Sequence, residues 1–81
     1  MSTKEIKLTK GVEINGTLVK TVTMREPTVG DQIDASEVKG GRGTQEAVLF
    51  ANICEMTPAE IRSMSMKDYT LLQDAYAAFI D

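Results

Sequence analysis

The dipeptide Asn15-Gly16 is a strong signal for a tight turn between two strands. It lies between two segments in which apolar and polar residues alternate, as they do in half-buried strands. A two-residue type I′ turn needs positive φ at both central positions, and Asn and Gly tolerate positive φ best. The sequence therefore predicts a β-hairpin over residues 4–25.

The apolar residues of this hairpin share one face only if the strand pairing is interrupted. An uninterrupted register from the turn would place Ile6 opposite Arg25, which wastes the apolar face. One extra residue at Gly11 would instead place Ile6 opposite Met24. We therefore expect a β-bulge at Gly11.

The stretch TMREPTVGD, residues 23–31, predicts that a strand ends and a helix begins within a few residues. Pro27 has no N–H to donate to a strand ladder, so the hairpin must end before it. Thr28 suits the N-cap position, and Asp31 can complete a capping-box-like pair with it. We expect a short helix over residues 28–38. Its apolar side would be formed by Val29, Ile33 and Val38.

Arg25 and Glu26 stand at this junction, and two interpretations of them remain open. In the first they form a recognition edge, which makes both of them candidates for partner binding. In the second, Arg25 only covers apolar surface and Glu26 only precedes a helix, because exposed charged pairs contribute little to stability.

The glycine-rich segment KGGRGT, residues 39–44, is predicted to be a mobile loop. A phosphate-binding loop is the alternative, because such loops are also rich in glycine. No GKS or GKT ending follows, and no buried strand precedes the segment, so a linker is the better interpretation.

The most apolar part of the chain, AVLFANICEM, predicts a helix from about Gln45 to Met56. Apolar residues occupy nearly all sides of its helical wheel, and one stripe consists of Leu49, Ile53 and Met56. Such a helix is either a central element covered by the others, or it leaves a face for a partner or a second copy of the chain. The second alternative makes the stripe a partner-binding candidate. Cys54 is expected to be a buried small hydrophobe rather than a reactive thiol.

Two further helix starts follow, so residues 45–80 are predicted to be the helical part of the chain. Residues 57–60, TPAE, have the pattern of a capping box with proline at the first helical position. Ser65, with Asp68 three residues later, predicts a last helix that extends to Ile80. Its larger side chains recur at heptad-like spacing, at Tyr69, Leu72, Tyr76 and Phe79. Core packing is the main interpretation of this stripe, and a docking seam that uses its two tyrosines is the alternative.

Length and composition restrict the fold and the chemistry. A chain of 81 residues is long enough for one modest core, so residues 1–81 are predicted to be a single α+β domain. Its N-terminal β-hairpin would be followed by three to four α-helices packed around that core. There is no histidine and only one cysteine, which excludes a Cys/His zinc site and a disulfide framework. We expect no catalytic residue, cofactor or metal, and therefore no enzyme.

The net charge of −3 is distributed unevenly. Residues 1–42 contain seven Lys or Arg against six Asp or Glu, whereas residues 43–81 contain two against six. The acidic half is either a solvated face or an acidic docking surface, and it argues against a nucleic-acid partner. No segment approaches the roughly 20 apolar residues of a membrane span, and the N-terminus lacks the apolar region of a signal peptide. A soluble, unexported chain with no membrane partner is expected.

The order of these features resembles the small tail assembly chaperones of Mu-like contractile-tailed bacteriophages and their prophages. The resemblance is carried by the hairpin with its Asn-Gly turn, by VTMREPTVGD, by the apolar helix, and by MTPAEIRSMSMKDYTLLQDAYAAF. Members have a TLREPTVGD-like stretch and a later pattern of Pro, Asp-Tyr, Leu and Phe. The corresponding residues here are Arg25, Glu26, Pro27, Thr28, Asp31, Pro58, Asp68, Tyr69, Leu72 and Phe79. At Met56-Thr57 the chain departs from the family, in which a glycine-containing turn is common.

This resemblance implies a non-catalytic role in tail assembly. Such chaperones bind the long, aggregation-prone tape-measure protein before the tail tube polymerises around it, and then leave. The implied location is the host bacterial cytoplasm, and the mature virion would lack the protein. Many members are also made in a longer form by programmed translational frameshifting, which implies a form extended beyond Asp81 as an open alternative.

A small prophage DNA-binding regulator or antitoxin is the alternative function. Several basic residues would make the outer face of the hairpin mildly basic, but two glutamates interrupt them and no aromatic residue lies there to stack on a base. The five methionines favour the chaperone, because they supply flexible, polarizable contacts for apolar segments. About half of them would instead fill gaps in the core.

Overall fold

The computed structural model describes residues 2–81. They begin with an antiparallel hairpin of two strands, β1 (Thr3–Ile14) and β2 (Thr17–Arg25). Four helices follow within these residues, namely α1 (Val29–Ser36), α2 (Arg42–Cys54), α3 (Pro58–Ser63) and α4 (Met66–Ile80). The predicted α+β class, with an N-terminal hairpin followed by three to four helices, is confirmed.

The turn of the hairpin has the backbone that its sequence predicts. The φ angles are 52° at Asn15 and 79° at Gly16, and both are positive as a type I′ turn requires. The tip of the hairpin is exposed to solvent, and Leu18 is 55% exposed there.

The bulge lies where it was predicted, but it is larger. Between the pairs Lys7–Thr21 and Val12–Val19, β1 has four residues and β2 has one, so the register shifts by three residues. Gly11, at the end of this segment, has a φ of 88°. The predicted shift of one residue is therefore wrong, although the predicted position is correct.

A shift of three residues preserves the apolar face as well as a shift of one. Ile6 pairs with Val22 rather than with Met24, and all three side chains remain buried. Strand side chains alternate between the two faces with a period of two. A shift of one residue and a shift of three residues are both odd, so either one places Val22 and Met24 on the same face as Ile6. The observed bulge is two residues larger than the predicted one, and its backbone N–H groups donate to the carboxylate of Asp68 in α4.

The apolar side of α1 faces solvent, which is the reverse of the prediction. Its buried residues are Asp31 and Ala35, whereas Val29 is 77% exposed and Ile33 is 51% exposed. An ion pair with Arg25 draws Asp31 toward the protein, and Ala35 lies one turn later on the same side. Val29 and Ile33 lie about 200° from Asp31 around a helix of 3.6 residues per turn, so they point outward.

α2 is the central helix of the core. It packs against β2, α1 and α3, while α4 lies against β1. The buried apolar side chains form one cluster: Ile6, Leu8, Val12, Val22, Met24, Ala35, Ala47, Leu49, Phe50, Ala51, Ile53, Cys54, Ile61 and Leu72. α2 begins at Arg42, so the last part of the predicted loop 39–44 belongs to the helix.

The stripe on α2 that was a candidate for partner binding lies mostly inside the protein. Leu49 is 6% exposed and Ile53 is 1% exposed, so of the two alternatives the structure favours the central helix that the other elements cover. The hairpin and the other helices together cover this helix, which explains why it is apolar on nearly all sides. Met56 follows the helix and packs half-buried against the core. Cys54 is buried as expected, and burial raises the pKa of its thiol to about 11.

The predicted stripe of α4 packs against the core. Leu72 is fully buried, and Tyr69, Tyr76 and Phe79 are partly buried against the central cluster. The ring centroid of Phe50 lies 5.5 Å from that of Tyr69 and 5.6 Å from that of Tyr76. These distances are typical of tilted aromatic pairs, so core packing of the stripe is confirmed.

Candidate functional site

An open groove of about 380 Å³ lies where α2, α3 and α4 meet. Its apolar lining is provided by Ala47 of α2, Ile61 of α3, Met64 between α3 and α4, and Met66 and Tyr69 of α4. Gly43, Glu46, Arg62 and Gln73 complete the lining. A mainly apolar cleft with a few polar groups is the usual character of a binding site, so this groove is the leading candidate.

Two consecutive N-cap motifs build the corner between α3 and α4 that shapes this groove. Thr57 and Glu60 form a complete capping box, with N–H to side-chain oxygen distances of 2.9 and 3.1 Å. Met64 and Ser65 are extended, and the Ser65 hydroxyl then caps α4. The chain therefore bends between the helices and leaves Met64 and Met66 on either side of Ser65.

The methionines divide between the core and the surface. Met24 is fully buried, and Met56 and Met64 are half-buried, whereas Met66 is 74% exposed. An exposed thioether side chain with three rotatable bonds can adapt to differently shaped apolar partners. Met66 and Met64 therefore give the groove an adjustable wall.

Tyr69 forms the rigid wall of the groove. Its hydroxyl donates to Glu46 Oε1 at 2.5 Å, and Gln73 Nε2 donates to the same oxygen at 3.0 Å. Burial, together with the Glu46 carboxylate, raises the pKa of Tyr69, so its hydroxyl stays protonated as a donor. The ring also packs on Phe50, so a hydrogen bond and an aromatic contact together hold Tyr69 in this position.

A second cavity of about 310 Å³ lies between α1, α2 and α4. It contains Tyr76, whose hydroxyl donates to Gln32 Oε1 at 3.5 Å. Leu49 contributes to the wall, but Arg42 and other polar side chains dominate the lining. This cavity is less suited to apolar side chains than the groove beside Tyr69.

Arg25 is engaged in an ion pair at the β2–α1 junction. Its Nη1 and Nη2 atoms donate to Asp31 Oδ2 and Oδ1, both at 2.7 Å, which is the bidentate geometry of a strong pair. The predicted capping box is also present, because the Thr28 N–H donates to Asp31 Oδ2 at 2.8 Å and the Asp31 N–H donates to Thr28 Oγ1 at 3.2 Å. Hydrogen bonds from Arg25 and Thr28 outweigh burial and hold the pKa of Asp31 well below its usual range.

Asp68 has a tertiary role that its sequence pattern did not predict. Its fully buried carboxylate accepts the N–H groups of Thr9 at 2.6 Å, Lys10 at 2.9 Å and Gly11 at 3.0 Å. Burial by itself would raise the pKa of Asp68. These hydrogen bonds and one from Ser65 lower the pKa by more than burial raises it, so the net effect is a lowered pKa. The β1 bulge thus directs three backbone N–H donors toward one carboxylate of α4.

The seven predicted partner-binding residues do not form one site. Tyr69 lines the apolar groove, and Tyr76 and Leu49 line the second cavity. Arg25 and the exposed Glu26 lie at the β2–α1 junction, Ile53 is in the core, and Met56 follows α2. Met64 and Met66 were not among the site candidates, although their positions on either side of a helix N-cap were visible in the sequence.

Two further observations concern the chemistry available to residues 2–81. Among them, no group of three or more His, Cys, Asp or Glu side chains is placed to hold a metal ion. No helix in this part of the chain combines the length and the apolar character that crossing a membrane requires.

Comparison with known proteins gives a match over nearly the whole chain. A family model described as "Phage tail assembly chaperone proteins, E, or 41 or 14" matches residues 5–81. No curated protein and no solved structure matches. The matched span contains the hairpin from Glu5 onward, all of α1 to α4, and the residues of both cavities.

Proposed function

This chain belongs to the family of phage tail assembly chaperones, and we therefore propose that it binds the tail tape-measure protein during tail assembly. The proposed action is binding without catalysis. It takes place in the host bacterial cytoplasm, and the chaperone leaves before the virion is mature. A form of the chain extended by frameshifting shares the same client-binding fold.

The observation that carries this proposal is the apolar groove between α2, α3 and α4. A chaperone for long helical proteins must accept apolar side chains from many positions of its client, so it needs an adaptable surface rather than one exact fit. The groove combines the mobile thioethers of Met64 and Met66 with the fixed ring of Tyr69. This arrangement suits an apolar anchor from an amphipathic helix.

The small size of the groove favours reversible binding. At about 380 Å³ it has room for a few side chains of a client and not for a whole helix. A contact confined to these few side chains would be a small interface, and interfaces that bury less than about 1,200 Å² in total are usually weak and transient. Reversible contacts at several places along a long client fit a chaperone that must be displaced when the tail tube forms.

The test is co-expression of the chain with the tape-measure protein of its source phage. We expect that protein to become soluble and to elute together with the chain. Met66→Glu, which places a charge in the groove, should abolish co-elution. Leu18→Glu is the matched control, because Leu18 is 55% exposed and is not one of the residues that line the groove. Both substitutions are at exposed positions, so neither should change the free energy of unfolding by more than about 0.5 kcal/mol.

The outcomes separate the two functions under consideration. Binding driven by apolar burial should show a negative heat-capacity change and little dependence on salt. A DNA-binding regulator would instead shift the mobility of DNA, and its affinity would fall steeply as salt is raised. Failure of the tape-measure protein to become soluble or to co-elute, with either the short or the extended chain, would refute the proposed client.

A further inference from the structure

We propose that the outward side of α1 is a docking surface for a basic amphipathic helix of a partner protein. This surface, called the α1 face here, consists of the exposed side chains of Val29 and Ile33. Three exposed acidic residues belong to the same segment: Glu26 before the helix, Asp34 in its last turn, and Glu37 at its C-cap, one turn after Ile33 on the same side. None of these residues lines the apolar groove, so the α1 face is a second surface and does not depend on the identity of the client.

The orientation of α1 conflicts with the hydrophobic pattern of its sequence. Val29 is 77% exposed and Ile33 is 51% exposed, although they are the two largest apolar side chains of α1. Arg25 instead holds the Asp31 side of α1 inward, because its Nη1 and Nη2 atoms each donate to an Asp31 carboxylate oxygen at 2.7 Å. Conflict between a local pattern and the fold is expected where function sets the arrangement.

The charges beside these apolar residues identify the chemistry of the partner. Asp34 and Glu37 lie in the last turn and at the end of α1, where the helix dipole disfavours negative charge, and the last turn has no basic residue. The Arg25 guanidinium is already occupied by Asp31. Lys or Arg side chains of a partner would therefore neutralise carboxylates that α1 itself leaves uncompensated.

The spacing of the apolar residues fits a helical partner. Val29 and Ile33 are four residues apart, so their side chains stand one turn above the other on the same side of α1. An amphipathic helix can place its own apolar stripe across this pair, with flanking basic residues beside Asp34 and Glu37. The α1 face thus suits a basic amphipathic helix in the spacing of its apolar side chains and in its charge.

A second copy of this chain does not have that complementarity. In a two-fold symmetric contact the same patch meets itself, so Glu37 of one copy would lie near Glu37 of the other where the two helices run parallel, and near Glu26 of the other where they run antiparallel. Like charges facing one another disfavour such a contact. The partner is therefore a different chain with a basic helix.

The experiment is a titration of the full ¹⁵N-labelled chain with two synthetic amphipathic helical peptides. Both carry the same leucine stripe, flanked by lysines in one and by glutamates in the other. We expect the lysine peptide to shift the amide resonances of α1 with saturation, and to bind at least tenfold more tightly than the glutamate peptide. Raising the salt concentration should weaken the binding of the lysine peptide.

Variants keep the result specific to the α1 face. The double variant Val29→Ser and Ile33→Ser should bind the lysine peptide at least tenfold more weakly and keep its melting temperature, since both positions are exposed. Leu18→Ser, also at an exposed position, should bind like the native chain. Equal binding of the two peptides, shifts confined to the groove around Met66, unchanged binding by the double variant, or α1 shifts that depend on protein concentration alone would each overturn the proposal.

Discussion

At the scale of the residue, Glu55 adopts a backbone conformation that its side chain does not favour. It ends α2 in the left-handed region, with φ 55° and ψ 47°, and the Met56 N–H donates to the Ala51 carbonyl at 2.8 Å, as in a Schellman-type cap. A residue with a Cβ atom loses roughly 1–2 kcal/mol in this region, whereas glycine does not. Members of the family commonly have a glycine-containing turn next to this position, and a glycine here would relieve that cost.

We therefore expect Glu55→Gly to stabilise the protein by roughly 0.5–1 kcal/mol, after allowance for the larger entropy of unfolded glycine. Glu55→Ala is the matched control, because it removes the same carboxylate and keeps the Cβ atom. Urea unfolding of both variants measures the difference in free energy. A glycine variant no more stable than the alanine variant would show that the left-handed backbone carries no cost here.

The Arg25–Asp31 pair should make stability depend on pH in the acid range. The pKa of Asp31 is lower in the folded than in the unfolded chain, so the folded state binds its proton less readily. Its contribution is complete above about pH 5 and is lost as the pH falls through the usual carboxyl range toward the folded pKa. Asp31→Asn should therefore cost roughly 1–2 kcal/mol at neutral pH and progressively less toward pH 2.

Thermal unfolding between pH 2 and pH 7 measures this effect. Asp34→Asn is the matched control on the same helix, because Asp34 is exposed. Part of the acid dependence should remain in Asp31→Asn, since the pKa of Asp68 is also lowered in the folded chain. Parallel stability curves for the native protein and Asp31→Asn would contradict the proposed role of the ion pair.

At the scale of the element, three helices begin with the same sequence pattern and use its acidic residue in different ways. Thr57 with Glu60 is a closed local box, and Thr28 with Asp31 is a box that also binds Arg25. In the third, Ser65 caps α4, but the carboxylate of Asp68 extends to the bulge of β1. The pattern predicts a helix start in each case, and it leaves open what the acid binds next.

The hydrogen bonds between the bulge of β1 and the Asp68 carboxylate, called the clamp here, depend on Gly11. A Cβ atom there would lie 2.9 Å from the Val19 carbonyl oxygen, and the φ of 88° already disfavours other residues. Gly11→Ala should therefore destabilise the protein by about 1–3 kcal/mol. It should also displace the N–H that donates to Asp68.

Gly16→Ala is the control for this substitution. Gly16 also has a positive φ, but no atom lies within 4 Å of the position its Cβ would take. Gly11→Ala should be the less stable variant in urea unfolding, because it adds a steric clash and disturbs the clamp. Equal losses would mean that only the positive φ matters and that the contact with Asp68 does not.

Sequence reasoning succeeded where neighbours along the chain decide the structure. The Asn15-Gly16 turn, the strand end at Pro27 and the capping boxes are local, and each is present as predicted. The size of the bulge was not predictable in the same way, because its N–H groups bind Asp68, which is 57 residues from Gly11 along the chain. The direction of α1 failed for a related reason, since hydrophobic periodicity does not reveal that Arg25 will bind Asp31.

At the scale of the whole molecule, the groove could be predicted only in part. Tyr69, which forms one wall of the groove, belongs to the heptad-like stripe of α4 that is visible in the sequence. The groove itself exists only because α2, α3 and α4 meet in the folded chain. Exposure was the quantity that sequence could not supply. Leu49 is apolar and buried, whereas Met66 is apolar and 74% exposed, and no local pattern distinguishes them.

The core closes within one chain, and this has a measurable consequence for self-association. Phe50, Met24, Ile53 and Leu72 are each less than 2% exposed in a single copy, so folding does not need a second subunit to cover them. An obligate dimer would have an unfolding midpoint that rises with protein concentration. We expect a midpoint in urea that stays constant over a hundredfold range of concentration.

Leu49→Ala tests the same point from inside the core. Removing a buried leucine side chain should cost about 2–5 kcal/mol, and the loss should be the same at every protein concentration. Leu18→Ala, at an exposed position, should change the free energy of unfolding by no more than about 0.5 kcal/mol. Light scattering of both variants and of the native chain completes the measurement. A small loss for Leu49→Ala, together with dissociation of an oligomer that the native chain forms, would mean that Leu49 lies at a subunit interface and that the single-chain core is incomplete.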